Sequence, residues 1–164
     1  MKYDEDTVEK LYQENLVAGR QLLASLPIAE GREPNTTGLN GWIYEQTIRY
    51  CLCQELKELG LSPIVREQEP LYGRTKIDLL VDRVAVEIKA LGSFGNDDEK
   101  YCKYRAKVEE RGWVYFYLTR SETYNPYRLA AESAFGKERA FFLDEKGDWA
   151  RFVREIRKIS EKEP

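Results

Sequence analysis

Apolar residues recur at helical spacing in the first part of the chain and alternate with polar ones in the middle. Val8, Tyr12, Leu16, Leu23 and Leu26 form one helical stripe, which predicts a helix from Thr7 to Leu26 capped by Asp6, with Glu9 three residues on. Pro27 to Gly41 is rich in turn formers and predicts a loop. Asn40 then caps a predicted helix from Gly41 to Leu59, with Ile48, Leu52, Leu56 and Leu59 on one face and Gly60 as its terminator. Pro63 to Pro70 reads as a short extended segment, and Thr75 to Val81 and Val84 to Lys89 as strands.

Beyond these strands, a third helix is predicted from Asp97 to Arg111, stopped by Gly112. The β-branched and aromatic run Trp113 to Thr119 predicts a buried strand. Asn125 and Pro126 open a short helix closed by Gly136, since proline suits the first helical position. Ala140 to Leu143 is an expected edge strand. Asp148 is expected to cap a last helix whose Trp149, Phe152, Val153, Ile156 and Ile159 make a single apolar stripe, packed on its own domain or on a second subunit. The order αβββαβ followed by α, β and α predicts an α/β or α+β sandwich, a mixed sheet flanked by helices. One domain over 1–164 is expected: an N-terminal helix and loop (1–38), a core (39–120) and C-terminal helical additions (121–164).

Composition narrows the chemistry. The chain has 164 residues and no histidine, which removes Ser-His-Asp and Cys-His nucleophile systems and His-ligated metal sites. Carboxylate, lysine, thiol and hydroxyl remain. Three cysteines, Cys51, Cys53 and Cys102, have neither zinc spacing nor an even count, so they are expected as reduced residues on helices. The acidic start Met1 to Asp6 lacks the apolar core of a secretory signal, and no stretch approaches a membrane span, so a cytoplasmic location is expected. A net charge of −3 argues against indiscriminate polyanion binding but leaves room for a local phosphate-binding face.

The candidate chemistry lies on the hairpin. With Asp82 and Arg83 as the turn, partners across the strands have numbers that sum to 165, so Asp78 stands opposite Glu87. Alternation then puts Ile77, Leu79, Val81, Val84, Val86 and Ile88 on one apolar face, and Asp78, Leu80, Ala85, Glu87 and Lys89 on the other. Two facing carboxylates about 5 Å apart repel by roughly 3 kcal/mol at an effective dielectric of 20. A raised pKa, the nearby Lys89 or a divalent cation would relieve this, and hard carboxylate oxygens suit Mg²⁺. Glu45 lies near the middle of the second helix's apolar stripe, where it either joins this site or pairs with Arg49 one turn on.

The acidic-x-Lys triplet is not specific by itself. Four occur in the chain, ending at Lys57, Lys89, Lys100 and Lys146, against about two expected by chance from the composition. Only Glu87 to Lys89 lies on an apolar strand with an aspartate opposite. There the run Gly73-Arg74-Thr75-Lys76-Ile77-Asp78, a hairpin, then Val86-Glu87-Ile88-Lys89 resembles the metal-binding core of the PD-(D/E)xK nuclease superfamily. The element order from Gly41 to Thr119, nearly half the chain, resembles its αβββαβ nucleus, and Ile77 stands where the family name has proline. The resemblance implies a restriction endonuclease-like fold and a Mg²⁺-dependent endonuclease acting on DNA, with Mn²⁺ as a substitute. It implies Asp78 and Glu87 as metal ligands, Lys89 as catalytic lysine and Glu45 as the acidic residue of the first core helix. A homodimer would be the simplest way to cut two strands, and a catalytically inactive module of the same fold is the alternative.

Candidate phosphate contacts are Lys103 and Lys107 on the basic, tyrosine-bearing third helix, and Arg74 and Lys76 ahead of Asp78, with Lys76 on Asp78's face if alternation holds. Gly92 to Asn96 is expected as a flexible loop near the site. No phosphate-binding Gly-x-x-x-x-Gly-Lys-Ser/Thr run is present.

Overall fold

A computed structural model describes residues 1–27, 31, 36–93 and 97–162. Among them are five α-helices and a five-stranded mixed sheet: α1 (Glu5–Ala24), α2 (Thr37–Glu58), β1 (Val65–Tyr72), β2 (Thr75–Val81), β3 (Val84–Lys89), α3 (Asp97–Glu110), β4 (Val114–Thr119), α4 (Asn125–Phe135), β5 (Ala140–Phe142) and α5 (Asp148–Ser160). The strands lie in chain order, with β1, β2 and β3 antiparallel and β3, β4 and β5 parallel. Antiparallel neighbours need only tight turns, whereas each parallel step needs a crossover, which α3 and α4 supply.

The helices cover both faces. On one, α1, α2 and α5 bury Tyr12, Ile48, Leu52 and Phe152 against Leu79, Val86, Phe116 and Phe141. On the other, α3 and α4 bury Tyr101, Val108 and Phe135 against Leu80, Ala85, Tyr115 and Tyr117. Inward residues on both faces make β4 almost continuously apolar, as expected of a strand covered on two sides. The stripe of α5 packs on its own domain: Trp149, Phe152, Val153 and Ile156 are fully buried in the first of these cores. Each such side chain stabilises the fold by about 1.5–3 kcal/mol.

The first cap differs from expectation. Asp4, not Asp6, caps α1, because Asp4 and Thr7 close a reciprocal capping box in which each side chain accepts from the other's amide. Helix α2 begins at Thr37, so Asn40 lies inside it rather than capping it, and the expected loop is correspondingly shorter. Residues 28–30 and 32–35 of that loop lie outside the described residues.

Asp148 does not cap α5 either. Gly147 precedes the helix with φ 95°, and the Asp148 carboxylate instead accepts from the Phe142 amide and from Arg151. The Asp82-Arg83 turn holds because Asp82, at φ 52°, accepts through Oδ1 from the Ile64 amide at 2.8 Å and returns its own amide to Ile64 O. These two bonds to Ile64 offset the cost of the left-handed conformation.

Candidate active site

The hairpin register follows the predicted sum of 165: Leu79 pairs with Val86, Leu80 with Ala85 and Val81 with Val84. There the regular ladder ends. The next hydrogen-bonded pair would be Ile77 with Ile88, but the Ile88 amide donates to Asp78 Oδ2 at 2.9 Å. On the other side of β2 the ladder with β1 is also interrupted: Glu67 pairs with Leu79 and Glu69 with Ile77, while the intervening Gln68 has φ 49°. The sheet therefore opens around Asp78.

This opening corrects one expectation. Ile77 does not share a core with Leu79, Val81, Val84, Val86 and Ile88; it is buried with Leu80 and Ala85 against α3 and α4. Strict alternation holds only along an unbroken ladder, and the break at Asp78 reverses the side on which Ile77 packs. With alternation broken at Asp78, Lys76 does not follow it onto the same face by register, and Lys76 is exposed. Arg74 lies in the turn before β2 and is also exposed.

Four predicted side chains act on one another at the opening. Lys89 Nζ lies 3.1 Å from Glu87 Oε1, and the Tyr115 hydroxyl donates to Glu87 Oε2 at 3.2 Å. Burial, then the Glu87 and Glu45 charges, push the Asp78 carboxyl well above its usual value, against the lowering effect of the Ile88 amide and Lys89. Glu45 is pushed up to about 7 by burial, then by Glu87, with Lys89 opposing. Burial works to lower the Lys89 pKa, but Glu87, with Asp97 and Asp78 behind it, outweighs this and holds the ammonium form. Glu45 does not pair with Arg49, which reaches Glu67 at 3.4 Å; it accepts from Gln68 Nε2 at 3.3 Å instead.

Several supporting residues were not legible as such. Thr119 Oγ1 and the Arg120 amide both donate to Lys89 O, fixing the end of β3. Beyond it, Gly92 and Ser93 are buried rather than loose. Glu122, only 4% exposed, accepts from the Ser93 amide at 2.7 Å and from the Tyr117 hydroxyl, while Ser93 Oγ bonds the hydroxyls of Tyr101 and Tyr117. Burial raises the Glu122 carboxyl pKa against these donors. Residues 94–96 of the expected flexible loop lie outside the described residues.

Most basic residues of α3 and of the turn after it are engaged within the fold. Lys107 pairs with Glu110 at 3.1 Å, Arg105 with Glu109 and the Ala134 carbonyl, and Arg111 with the Leu71 carbonyl. Lys103 is exposed and lies over the Tyr72 ring at 5.3 Å. Of the other acidic-x-Lys triplets, Glu55 accepts from the Tyr3 amide and Asp144 pairs with Arg128, which are structural uses.

Whether this donor set suits a divalent cation is decided by its oxygens. Among the described residues no three His, Cys, Asp or Glu side chains converge tightly enough to hold an ion by themselves. Two carboxylates from adjacent strands nevertheless match the habit of Mg²⁺, which takes one or two protein oxygens and fills its shell with water and phosphate. Asp78 Oδ1 has no hydrogen-bond partner among the described residues, and each Glu87 oxygen, with one partner in Lys89 or Tyr115, keeps a second lone pair. Matched against family models, curated proteins and solved structures, the chain finds no counterpart in any of the three. No helix among the described residues is long and apolar enough to cross a membrane.

Proposed function

We propose that the protein is a metal-dependent endonuclease that hydrolyses DNA phosphodiester bonds on a restriction endonuclease-like fold. One observation carries this reading: Asp78, Glu87, Glu45 and Lys89 are gathered where the β2–β3 ladder opens, and burial, then the neighbouring carboxylates, raise the pKa values of Asp78 and Glu45. A fold selected only for stability would not gather partly buried acids there, because each charge loses hydration and gains repulsion. Perturbed groups in one cluster are a mark of function.

Asp78 and Glu87 would hold Mg²⁺, or Mn²⁺ in its place, which supplies Lewis acidity to a phosphate oxygen and acidifies a bound water. Lys89 remains a cation, so it orients the water and offsets charge that grows on the phosphorus oxygens in the transition state. Glu45, with a pKa near 7, is suited to take a proton at neutral pH. Tyr115 and the Ile88 amide orient Glu87 and Asp78 respectively. Arg74, Lys76 and Lys103, exposed on and near the β1–β2 turn, are the cations placed for phosphate contact. Lys107 would first have to leave Glu110. One site cuts one strand, so duplex cleavage calls for two copies of the chain.

A second reading has its own support. Each Glu87 oxygen has a partner, Lys89 or Tyr115, an arrangement that balances charge without an ion and fits an inactive module that binds nucleic acid or a protein partner. Incubation with supercoiled plasmid and with branched DNA separates the two. Cleavage in Mg²⁺ that is lost with chelator and in Glu87→Ala supports the enzyme; inactivity on duplex, single-stranded and branched DNA in both Mg²⁺ and Mn²⁺ supports the module.

A further inference from the structure

Helix α2 carries a tryptophan that the core does not use. The inward stripe of the helix is Tyr44, Ile48, Leu52 and Leu56, all buried. Trp42 lies off that stripe and is 57% exposed, and it makes no hydrogen bond, ring contact or cation contact among the described residues. Isolated apolar side chains are common on protein surfaces, so the position of this one decides whether it has a role.

Residues three and four apart are neighbours on a helix surface, so Trp42 stands beside Glu45 and Gln46. Glu45 accepts from Gln68 Nε2 and Gln46 donates to the Glu67 carboxylate, so this flank of α2 faces the kink of β1 next to Asp78. The helix and the strand run in opposite senses: Arg49 reaches Glu67, and Glu45, a turn earlier, reaches Gln68. Trp42 is nearly a turn earlier again, about 4.5 Å along the axis, and helical side chains lean toward the N-terminus. This carries the ring past Gln68 toward Glu69 and Pro70, whose partners on β2 are Ile77 and Lys76. Because β2 and β3 are antiparallel, it is also the end of the sheet where β3 finishes with Lys89.

Three exposed cations occupy the same end. Arg74 and Lys76 lie at the start of β2, and Lys103 lies over the ring of Tyr72, the last residue of β1. Leu91, two residues beyond Lys89, adds apolar surface and is 61% exposed. Single-stranded nucleic acid is held by this combination, cations tracking the phosphates and an aromatic face taking a base. In a continuous duplex both faces of every base are covered by its neighbours in the stack, and the ring has nothing to meet.

We propose, resting on the nuclease reading, that Trp42 stacks on an unpaired base of the strand that enters the site. The preferred substrate is then single-stranded DNA, or DNA opened at the point of cleavage, rather than uninterrupted duplex. Trp42 is a specificity-determining residue: it touches the substrate and takes no part in breaking the phosphodiester bond.

The test reads binding apart from cleavage. Wild type, Trp42→Ala and Trp42→Phe are titrated in EDTA into fluorescein-labelled oligothymidine of about 20 nucleotides, longer than the usual single-strand site, and into a blunt duplex of equal length, with anisotropy as the readout. Wild type should bind the single strand about tenfold tighter than the duplex. Its tryptophan emission should be quenched by the single strand, since Trp149 is fully buried and Trp113 half-buried, which leaves Trp42 as the exposed emitter. Trp42→Ala should lose about tenfold or more in single-strand affinity, the usual cost of deleting one stack, and nothing on the duplex. Trp42→Phe should keep most of that affinity, and both variants should melt as wild type does because the side chain is exposed. Equal single-strand affinity in wild type and Trp42→Ala would overturn the inference. So would a preference for the duplex, an equal loss on both DNAs or in both variants, or no saturable binding of the single strand up to about 100 µM. Plasmid cleavage in Mg²⁺ is measured alongside: a protein that binds as described and cuts nothing keeps the stack and loses the nuclease reading, and one that cuts DNA yet binds identically without Trp42 does the reverse.

Discussion

The Asp78 carboxylate accepts a hydrogen bond from the Ile88 amide at 2.9 Å, where a regular hairpin would have joined that amide to the Ile77 carbonyl. The substitution of a side chain for a backbone acceptor opens β2 away from β3, turns Ile77 into the opposite core and leaves Asp78 beside Glu87 and Glu45. The same bond that distorts the sheet holds the aspartate in place.

Asp78→Asn keeps an oxygen that can accept from Ile88 but removes the charge. Above neutral pH it is expected to unfold less readily than wild type, by about 1 kcal/mol, because it relieves carboxylate repulsion. Cleavage should fall by a factor of about 100 or more, the loss typical of removing an essential electrostatic group. Urea melts at pH 8 and a plasmid assay on the same preparations check both halves.

Glu45 gives the fold a predictable pH dependence. Its folded pKa of about 7 lies above the usual carboxylate value of 4.5, so between these limits the native state holds a proton that the unfolded chain has released. Its contribution to stability is therefore present at low pH and is lost as pH rises through about 7. Allowing for solvent screening of a half-exposed group, the loss is about 1 kcal/mol. In Glu45→Gln this component of the pH slope between 4.5 and 7 should vanish, as read by melting temperature against pH.

Tyr115 is packed against Phe135 with ring centroids 4.6 Å apart and also bonds Glu87. Tyr115→Phe keeps the packing and deletes the bond. Stability is expected to drop by about 1 kcal/mol. Affinity for Mn²⁺ should fall about tenfold, as when a ligand's orienting partner is removed. A Phe variant with wild-type metal affinity would assign Tyr115 to the core alone.

Gly92 is required by its surroundings. Its φ of 79° suits glycine, and a Cβ there would lie 2.6 Å from Glu122 Oε2. Gly92→Ala should destabilise by about 1–3 kcal/mol through backbone strain and displacement of the Glu122 carboxylate from Ser93. Chemical denaturation measures this, and Gly112→Ala, also at positive φ but with open space around it, separates strain from collision.

Much of this architecture was legible because it rests on local signals. The bounds of β2 and β3, the 165 register and the burial of the α5 stripe follow from period and punctuation alone. The side of the sheet taken by Ile77 was not legible, since alternation carries no information about where a ladder breaks. Gln68 has no glycine to betray its positive φ. The first cap is ambiguous in the sequence because Asp4-x-x-Thr7 and Asp6-x-x-Glu9 overlap, and only the geometry chooses between them. Asp78, Glu87, Lys89 and Glu45 were found from strand alternation and helix phase. Tyr115, Ser93 and Glu122 were missed because their bonds join segments 24 to 29 residues apart.

The central claim is that Asp78 and Glu87 share one divalent cation. Calorimetric titration with Mn²⁺ at pH 8, run on wild type, Asp78→Ala and Glu87→Ala, tests it most directly. Saturable binding in wild type that disappears in both variants is the predicted result. Identical heats in all three proteins, or none in wild type, would contradict it.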